Sequence, residues 1–154
     1  MPPCATCAVP VLTQFASPEL VGPIVYEDFD RAADPAWRDS GAATLDDYAR
    51  WCGHLCGLAC FRMFLGPVLG PSTPSLFELR DGALKYGAYT EAGGEIRGMV
   101  YAPFAAYARE VHGVGATVLR GDAAAVDRVP ERGVGAGRRG LQVGCGWARS
   151  SPRP

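Results

Sequence analysis

The chain has 154 residues, of which 48% are hydrophobic and 20% are charged, and this balance indicates a folded globular domain rather than a disordered chain. Its net charge of −1 gives no general reason to expect a nucleic acid or an anionic membrane as a partner. No run of about 18 apolar residues occurs, so we expect no membrane-spanning helix.

Residues 1–10 carry prolines and cysteines and predict a loose N-terminal arm. They lack the basic start and long apolar stretch of a secretory signal, so we expect a cytoplasmic protein whose six cysteines are thiols. A short apolar piece follows at residues 11–15. Ser17 and Pro18 then predict a helical turn, because serine is a common N-cap residue and proline suits the first helical position.

Two helices are predicted in the middle of the chain. The segment Thr44-Leu45-Asp46-Asp47 resembles a capping box, so a helix is expected to begin at Leu45. Two glycines weaken a single continuous helix, which predicts a break near residues 52–55 and a second helix over residues 56–65. Gly66-Pro67 is expected to end this second helix.

The remaining chain mixes short helices with short strands and has no internal repeat. Helical patterns cover residues 75–80 and 103–111, separated by a turn signal at residues 81–82. Apolar patterns typical of strands cover residues 96–101 and 114–119. A helix-rich half followed by a mixed half predicts an α+β fold rather than a doubly wound sheet.

The start of the predicted helix 56–65 is the most informative part of the chain. Here Cys56 and Gly57 precede an almost wholly apolar run. A helix N-terminus favours the thiolate over the thiol, so Cys56 is a candidate nucleophile. Gly57 would let a substrate backbone approach closely. The alternative interpretation is a small core cysteine, which the residue type alone favours.

An activated cysteine needs a base, and the chain has two histidines. His54 lies two residues before Cys56, and side chains only two positions apart on a helix point in different directions, so His54 is a poor base for this thiol. His112 is either a base or a residue that stabilises the end of its own helix. Gln14 carries an amide that can donate to an oxyanion, and it is otherwise an ordinary surface glutamine.

A metal site is the rival explanation for the cysteines. Cys4 and Cys7 form a short chelating pair, and further cysteines recur every four residues at positions 52, 56 and 60. A strong zinc signal needs two such pairs, so we expect ordinary thiols, no metal and no cofactor. Acidic residues at positions 34, 39, 46 and 47 are interpreted as turn and cap residues.

Residues 56–65, CGLACFRMFL, resemble the C-G-x-A-C-x-x-M-x-L signature of the C39-like cysteine peptidases, relatives of the papain fold. The segments QFASP (14–18) and DPAW (34–37) are similar to a stand-alone bacterial branch of this group. On this resemblance we place a partial peptidase domain at residues 11–129.

The resemblance implies a papain-like fold, of which this chain would hold the helical half and the start of the antiparallel sheet. It implies hydrolysis of peptide bonds in a peptide or protein substrate, with Cys56 as nucleophile. In the family an oxyanion glutamine lies shortly before the cysteine, and that position here is Arg50. Gln14 can take this role only if residues 16–50 are an insertion that loops out.

The family's catalytic histidine lies on a strand after the cysteine, and His112 comes one step too early to match it. Residues 130–154 are rich in Gly, Arg and Pro, with five arginines and one acidic residue. We expect this tail to be disordered and to reflect a truncated or frameshifted gene end. Without the family histidine the enzyme would be weakly active or inactive, and the alternative is a non-catalytic peptide-binding module of the same type. The oligomeric state stays open.

Overall fold

The computed structural model describes residues 11–116 and residue 118, and the chain divides into two units, residues 1–100 and residues 101–154. The predicted arm and the predicted tail both lie outside the described residues. Helices and one small antiparallel sheet make up the described part, which confirms the predicted α+β class.

The elements follow one another with short connections. In chain order they are α1 (Val21–Tyr26), α2 (Leu45–Trp51), α3 (Cys56–Leu69), α4 (Leu76–Lys85), β1 (Tyr89–Ala92), β2 (Glu95–Gly98) and α5 (Tyr101–His112). Five 3-10 turns accompany them, at Pro18–Leu20, Arg31–Ala33, Trp37–Ser40, Cys52–His54 and Gly70–Ser72. The first unit contains every element up to β2, and α5 belongs to the second.

The predicted starts of α2 and α3 are confirmed. The Thr44 hydroxyl accepts a hydrogen bond from the Asp47 N–H at 3.1 Å, so α2 begins at Leu45. The predicted break is the 3-10 turn Cys52–His54, after which α3 begins at Cys56. Local capping and glycine signals were sufficient to locate both helix starts.

The predicted ends of α3 and α4 are wrong. The clash that keeps a residue before proline out of the helical region involves its Cβ, and Gly66 has none, so α3 continues through Pro67 to Leu69. In α4 the glycine at 82 costs about 1 kcal/mol, and the helix nevertheless runs to Lys85. Leu79 and Ala83 are fully buried on either side of that glycine, and their packing outweighs its cost.

The sheet consists of β1 and β2 paired antiparallel, with Tyr89 opposite Gly98. Gly93 and Gly94 connect the strands and have φ values of +61° and +84°, as a tight two-residue hairpin turn requires. The predicted strand over residues 96–101 is therefore a shorter strand that starts one residue earlier, and β1 was not predicted.

The region after β2 also differs from its prediction. The predicted helix 103–111 is present as α5, which begins two residues earlier and ends one residue later. Of the predicted strand over residues 114–119, residues 114–116 and 118 are not in a strand, and the other two lie outside the described residues. No single described helix is long and apolar enough to cross a membrane; only Leu45–His54 and Cys56–Ser72 taken together, bent by 89°, match in length and composition.

The core of the first unit is built from the inner faces of α2, α3 and α4. Its buried side chains include Tyr48, Trp51, Leu58, Phe61, Leu65, Phe77 and Leu79. Arg80 of α4 is also buried, and it pairs with Asp47 at 2.6 Å and with Asp81 at 2.7 Å. Its guanidinium also lies over the ring of Trp51, at 5.1 Å, which ties α4 to α2.

Candidate functional site

Cys56 is the first residue of α3, and its side chain is exposed. The residue before it, Leu55, is fully buried, and so is Leu58 in the first turn, which anchors this end of the helix to the core. No side chain of the described residues caps the helix, and its first turn holds no acidic residue. The first backbone N–H groups therefore keep their capacity to bind an anionic atom beside the sulfur.

The neighbouring cysteines lie in different surroundings. Cys52 is fully buried, with its Sγ 3.8 Å from the carbonyl oxygen of Ala49. Burial raises the pKa of the Cys52 thiol to about 11, so this sulfur is protonated at neutral pH. Cys60 is half-buried. Cys56 is thus the exposed thiol of the three, as the nucleophile hypothesis requires.

The same side chains bear on the metal hypothesis. In the part of the chain that the structure describes, no three His, Cys, Asp or Glu side chains are grouped so that they could hold a metal ion. Cys4 and Cys7, the pair that carried the metal hypothesis, lie outside the described residues.

Tyr89, at the start of β1, lies close to Cys56 and was missed from the sequence. The ring is buried, meets Trp51 edge-on at 5.9 Å, and its hydroxyl donates to the backbone carbonyl of His54 at 3.3 Å. Burial raises the pKa of Tyr89 far above its usual range, and a negative charge on Cys56 raises it further. A neutral phenol therefore stands near the sulfur at physiological pH.

Met99 lies over the first turn of α3. A Cβ built on Gly57 would be 2.5 Å from Met99 Cε and 3.3 Å from Met99 Sδ. The group that approaches Gly57 in the structure is this side chain, and the approach of a substrate backbone stays a prediction. Met99 is half-buried and flexible, so it covers the backbone next to Cys56 with a group that can move.

The two histidines lie in different units. His54 is exposed, and within the described residues no hydrogen bond joins its ring to Cys56. His112 ends α5, where its Nε2 is 2.9 Å from the hydroxyl of Tyr107. Burial lowers the pKa of His112, so its ring is neutral at pH 7. A neutral imidazole can accept a proton, and the role of His112 as base stays a prediction.

The segment that carries Gln14 is held in place by the buried carboxylate of Asp34. Asp34 accepts hydrogen bonds from the Ser17 hydroxyl at 2.6 Å, the Ser17 N–H at 3.2 Å, the Tyr48 hydroxyl at 2.5 Å and the Ala36 N–H at 3.0 Å. Burial acts to raise the pKa of Asp34, but these bonds outweigh it and leave the pKa below its usual value. The Ala36 N–H bond confirms its interpretation as a turn residue, but that interpretation missed the buried network, because partners 14 and 17 residues away cannot be identified from local sequence.

Gln14 faces a pocket of about 270 Å³ beside α3. We call it the Gln14 pocket, and its lining includes Gln14, Phe15, Asp39, Ala59, Arg62 and Leu76. Ala59 is one helical turn beyond Cys56, so the chain between Gln14 and α3 folds back to bring the glutamine to this helix. Cys56 is not among the described residues that line the pocket.

The amide of Gln14 has one unusual feature. Its Oε1 atom is buried and has no hydrogen-bond partner among the described residues. Most buried polar atoms in folded proteins are hydrogen-bonded, so an exception of this kind calls for a specific explanation. Sequence reasoning selected Gln14 for its amide donor, whereas the structure draws attention to its oxygen.

Comparison with known proteins leaves the function to be argued from this geometry. No protein-family model matches the chain, and no curated protein and no solved structure matches it significantly. The resemblance of residues 56–65 to the C39-like signature, and the papain-like fold that it implies, therefore stay predictions.

Proposed function

We propose that this chain is a papain-like, C39-like cysteine peptidase domain in which Cys56 attacks the carbonyl carbon of a peptide bond. One observation carries the proposal: an exposed thiol occupies the first position of a 14-residue helix that no described side chain caps. The buried Leu55 and Leu58 on either side fix the backbone, so the sulfur and the first N–H groups keep one geometry.

The chemistry follows from the groups around the sulfur. The Cys56 thiolate would add to the carbonyl carbon, and the electron pair of the C=O bond would move onto oxygen. Backbone N–H groups of the first turn of α3 would hold that oxyanion, and the amide nitrogen of Gln14 is a further candidate donor. Collapse would break the C–N bond, leaving a thioester on Cys56 and a protonated amine, and water would then release the acid and restore the thiol.

Proton transfer is the weaker part of this site. His54, which belongs to the same unit as Cys56, makes no ring hydrogen bond to it within the described residues. General acid–base assistance typically contributes roughly 10²- to 10⁴-fold to a rate. Nucleophilic attack by Cys56 is therefore expected to be easier to detect than complete turnover of a peptide.

The proposal is tested by alkylation of the folded protein with limiting iodoacetamide. Trypsin releases residues 51–62 as one peptide, and its fragment ions distinguish Cys56 from Cys52. Cys56 should react faster than Cys52 and faster than Cys145, and the differences should vanish in denaturant. If Cys56 reacts no faster than Cys145 in the folded protein, the proposed activation is refuted.

A second candidate is a catalytically silent module that binds peptides without cleaving them. The lack of a hydrogen bond between the His54 ring and Cys56 in the described residues favours it. Peptide affinity that survives Cys56→Ala, together with no cleavage by the unaltered protein, would support this function. Cleavage that Cys56→Ala abolishes would exclude it.

A further inference from the structure

The Gln14 pocket offers a hydrogen-bond acceptor that the described part of the chain does not use. Gln14 Oε1 is buried with no partner among the described residues, and such an atom has lost its water without gaining a replacement. The arrangement is explained if a ligand supplies the missing donor, because the buried oxygen is then satisfied in the bound state.

A donor lies in the lining of the same pocket. Arg62 comes from α3, and its Nε–H donates to the carbonyl oxygen of Pro74 at 2.9 Å, which fixes the guanidinium plane. Within the described residues Arg62 forms no ion pair, so its terminal N–H groups remain available to a ligand.

The rest of the lining limits what kind of ligand fits. Phe15, Ala59 and Leu76 are buried and apolar. The Ser40 hydroxyl also lies in the lining, but it donates a hydrogen bond to the carbonyl oxygen of Trp37 at 2.6 Å and accepts one from the Ala42 N–H at 3.2 Å. Its proton is therefore not available to a ligand.

The charges in the lining favour a neutral ligand. Asp39 carries a negative charge that opposes the positive charge of Arg62, so the two together give the pocket no net charge. The pocket thus combines one acceptor, one donor and apolar walls, a pattern typical of small-molecule sites.

We propose that the Gln14 pocket binds a neutral amide group of a peptide main chain. Gln14 Oε1 accepts the amide N–H, and Arg62 donates to the amide carbonyl. A main-chain amide presents both groups in a fixed plane. The assignment goes beyond the proposed peptidase function, because it requires no chemistry at Cys56. It is also compatible with an oxyanion role for Gln14, because the two roles use different ends of the side-chain amide.

The test compares two small probes that differ in one hydrogen-bond donor. N-methylacetamide contains a single amide N–H, and methyl acetate has oxygen in its place. Each is titrated into the full chain and followed by ¹H–¹⁵N NMR. The amide should bind roughly three- to tenfold more tightly than the ester, as expected for one net hydrogen bond. Equal affinities, or no saturable binding of either probe, would overturn the assignment, and so would tighter binding of free zwitterionic alanine.

Variants separate this site from the thiol. Gln14→Met keeps the side-chain length, removes the oxygen and should abolish the preference for the amide over the ester. Retention of the preference would overturn the assignment. If Gln14→Met does not fold, Arg62→Met removes the proposed donor and should weaken the binding of both probes. Cys56→Ser should retain the full preference, so a failed labelling experiment at Cys56 leaves this result independent.

Discussion

Asp34 offers the sharpest test of how the site is held together. Asp34→Asn keeps the shape of the side chain, but the NH₂ group of Asn is itself a donor. It would face N–H and O–H groups whose hydrogen bonds a carboxylate oxygen now accepts. One carboxylate oxygen accepts from the Ser17 hydroxyl and the Ala36 N–H, and the other from the Ser17 N–H and the Tyr48 hydroxyl. Either orientation of the Asn amide therefore disrupts two of the four bonds.

The magnitude follows from those two bonds. Hydrogen bonds to a charged group contribute about 1.5–3 kcal/mol each, and a buried N–H left without an acceptor adds its desolvation cost. We therefore expect Asp34→Asn to lower the free energy of unfolding by about 3–6 kcal/mol, a large share of the ~5–15 kcal/mol that holds a typical domain together. Urea unfolding at pH 7 measures it, with the exposed Asp39→Asn as a control that changes it by less than about 0.5 kcal/mol.

The same residue predicts a pH dependence. The pKa of Asp34 is lower in the folded protein than in the unfolded chain, so the unfolded chain binds more protons between the two values. Its contribution to stability is complete above about pH 4 and is lost as the pH falls through the folded pKa. Asp34→Asn should remove this part of the acid sensitivity. A loss below about 1 kcal/mol at pH 7, or an unchanged acid limb, would contradict the structural role assigned to the network.

Three further predictions concern the cover of the site, the backbone and the second unit. Met99→Ala should uncover the first turn of α3, so a bulky maleimide should label Cys56 several-fold faster than in the unaltered protein, while the rate of a small alkylating agent should not change. Equal acceleration of both reagents would contradict the role of Met99 as a steric cover. Gly41→Ala should lower the free energy of unfolding in urea by about 2–4 kcal/mol, because φ is +84° and the new Cβ would lie within 3 Å of Ser75, the N-cap residue of α4. The control Gly22→Ala meets nothing within 4 Å and should be neutral or slightly stabilising. Burial lowers the pKa of His112, so the contribution of this residue to stability should be complete above about pH 6.5 and be lost as the pH falls through the folded pKa. If the melting temperature of His112→Gln depends on pH as steeply as that of the unaltered protein, this prediction is refuted.

Local signals in the sequence predicted the part of the fold that depends on neighbouring residues. Thr44 caps α2 through a bond to a residue three positions away, and the start of α3 at Cys56 follows from an adjacent 3-10 turn. Helix ends were less predictable, because tertiary packing of Leu79 and Ala83 outweighs the local effect of a glycine. Strand β1 was missed because three of its four residues are exposed and give no alternating pattern.

The candidate site divides in the same way. Cys56 was recognised because both its chemistry and its helix start are encoded locally. Tyr89 was not recognised, because only the fold brings it near the thiol, from a strand that begins 33 residues later in the sequence. The unpartnered oxygen of Gln14 could not be predicted from the sequence either, since the pocket that Gln14 lines is completed by Arg62 and Ala59 of α3, which the intervening chain brings beside it.

Acyl transfer to Cys56 tests the central claim most directly. The folded protein is exposed briefly to p-nitrophenyl acetate, which needs no strong acid to expel its leaving group, and the acetylated residues are identified by tandem mass spectrometry. Rapid formation of an acetyl thioester on Cys56, with Cys52 unmodified, is the predicted result. Acetyl groups spread evenly over Cys145 and other nucleophiles of the chain, with no excess on Cys56, would show that the start of α3 does not activate this sulfur.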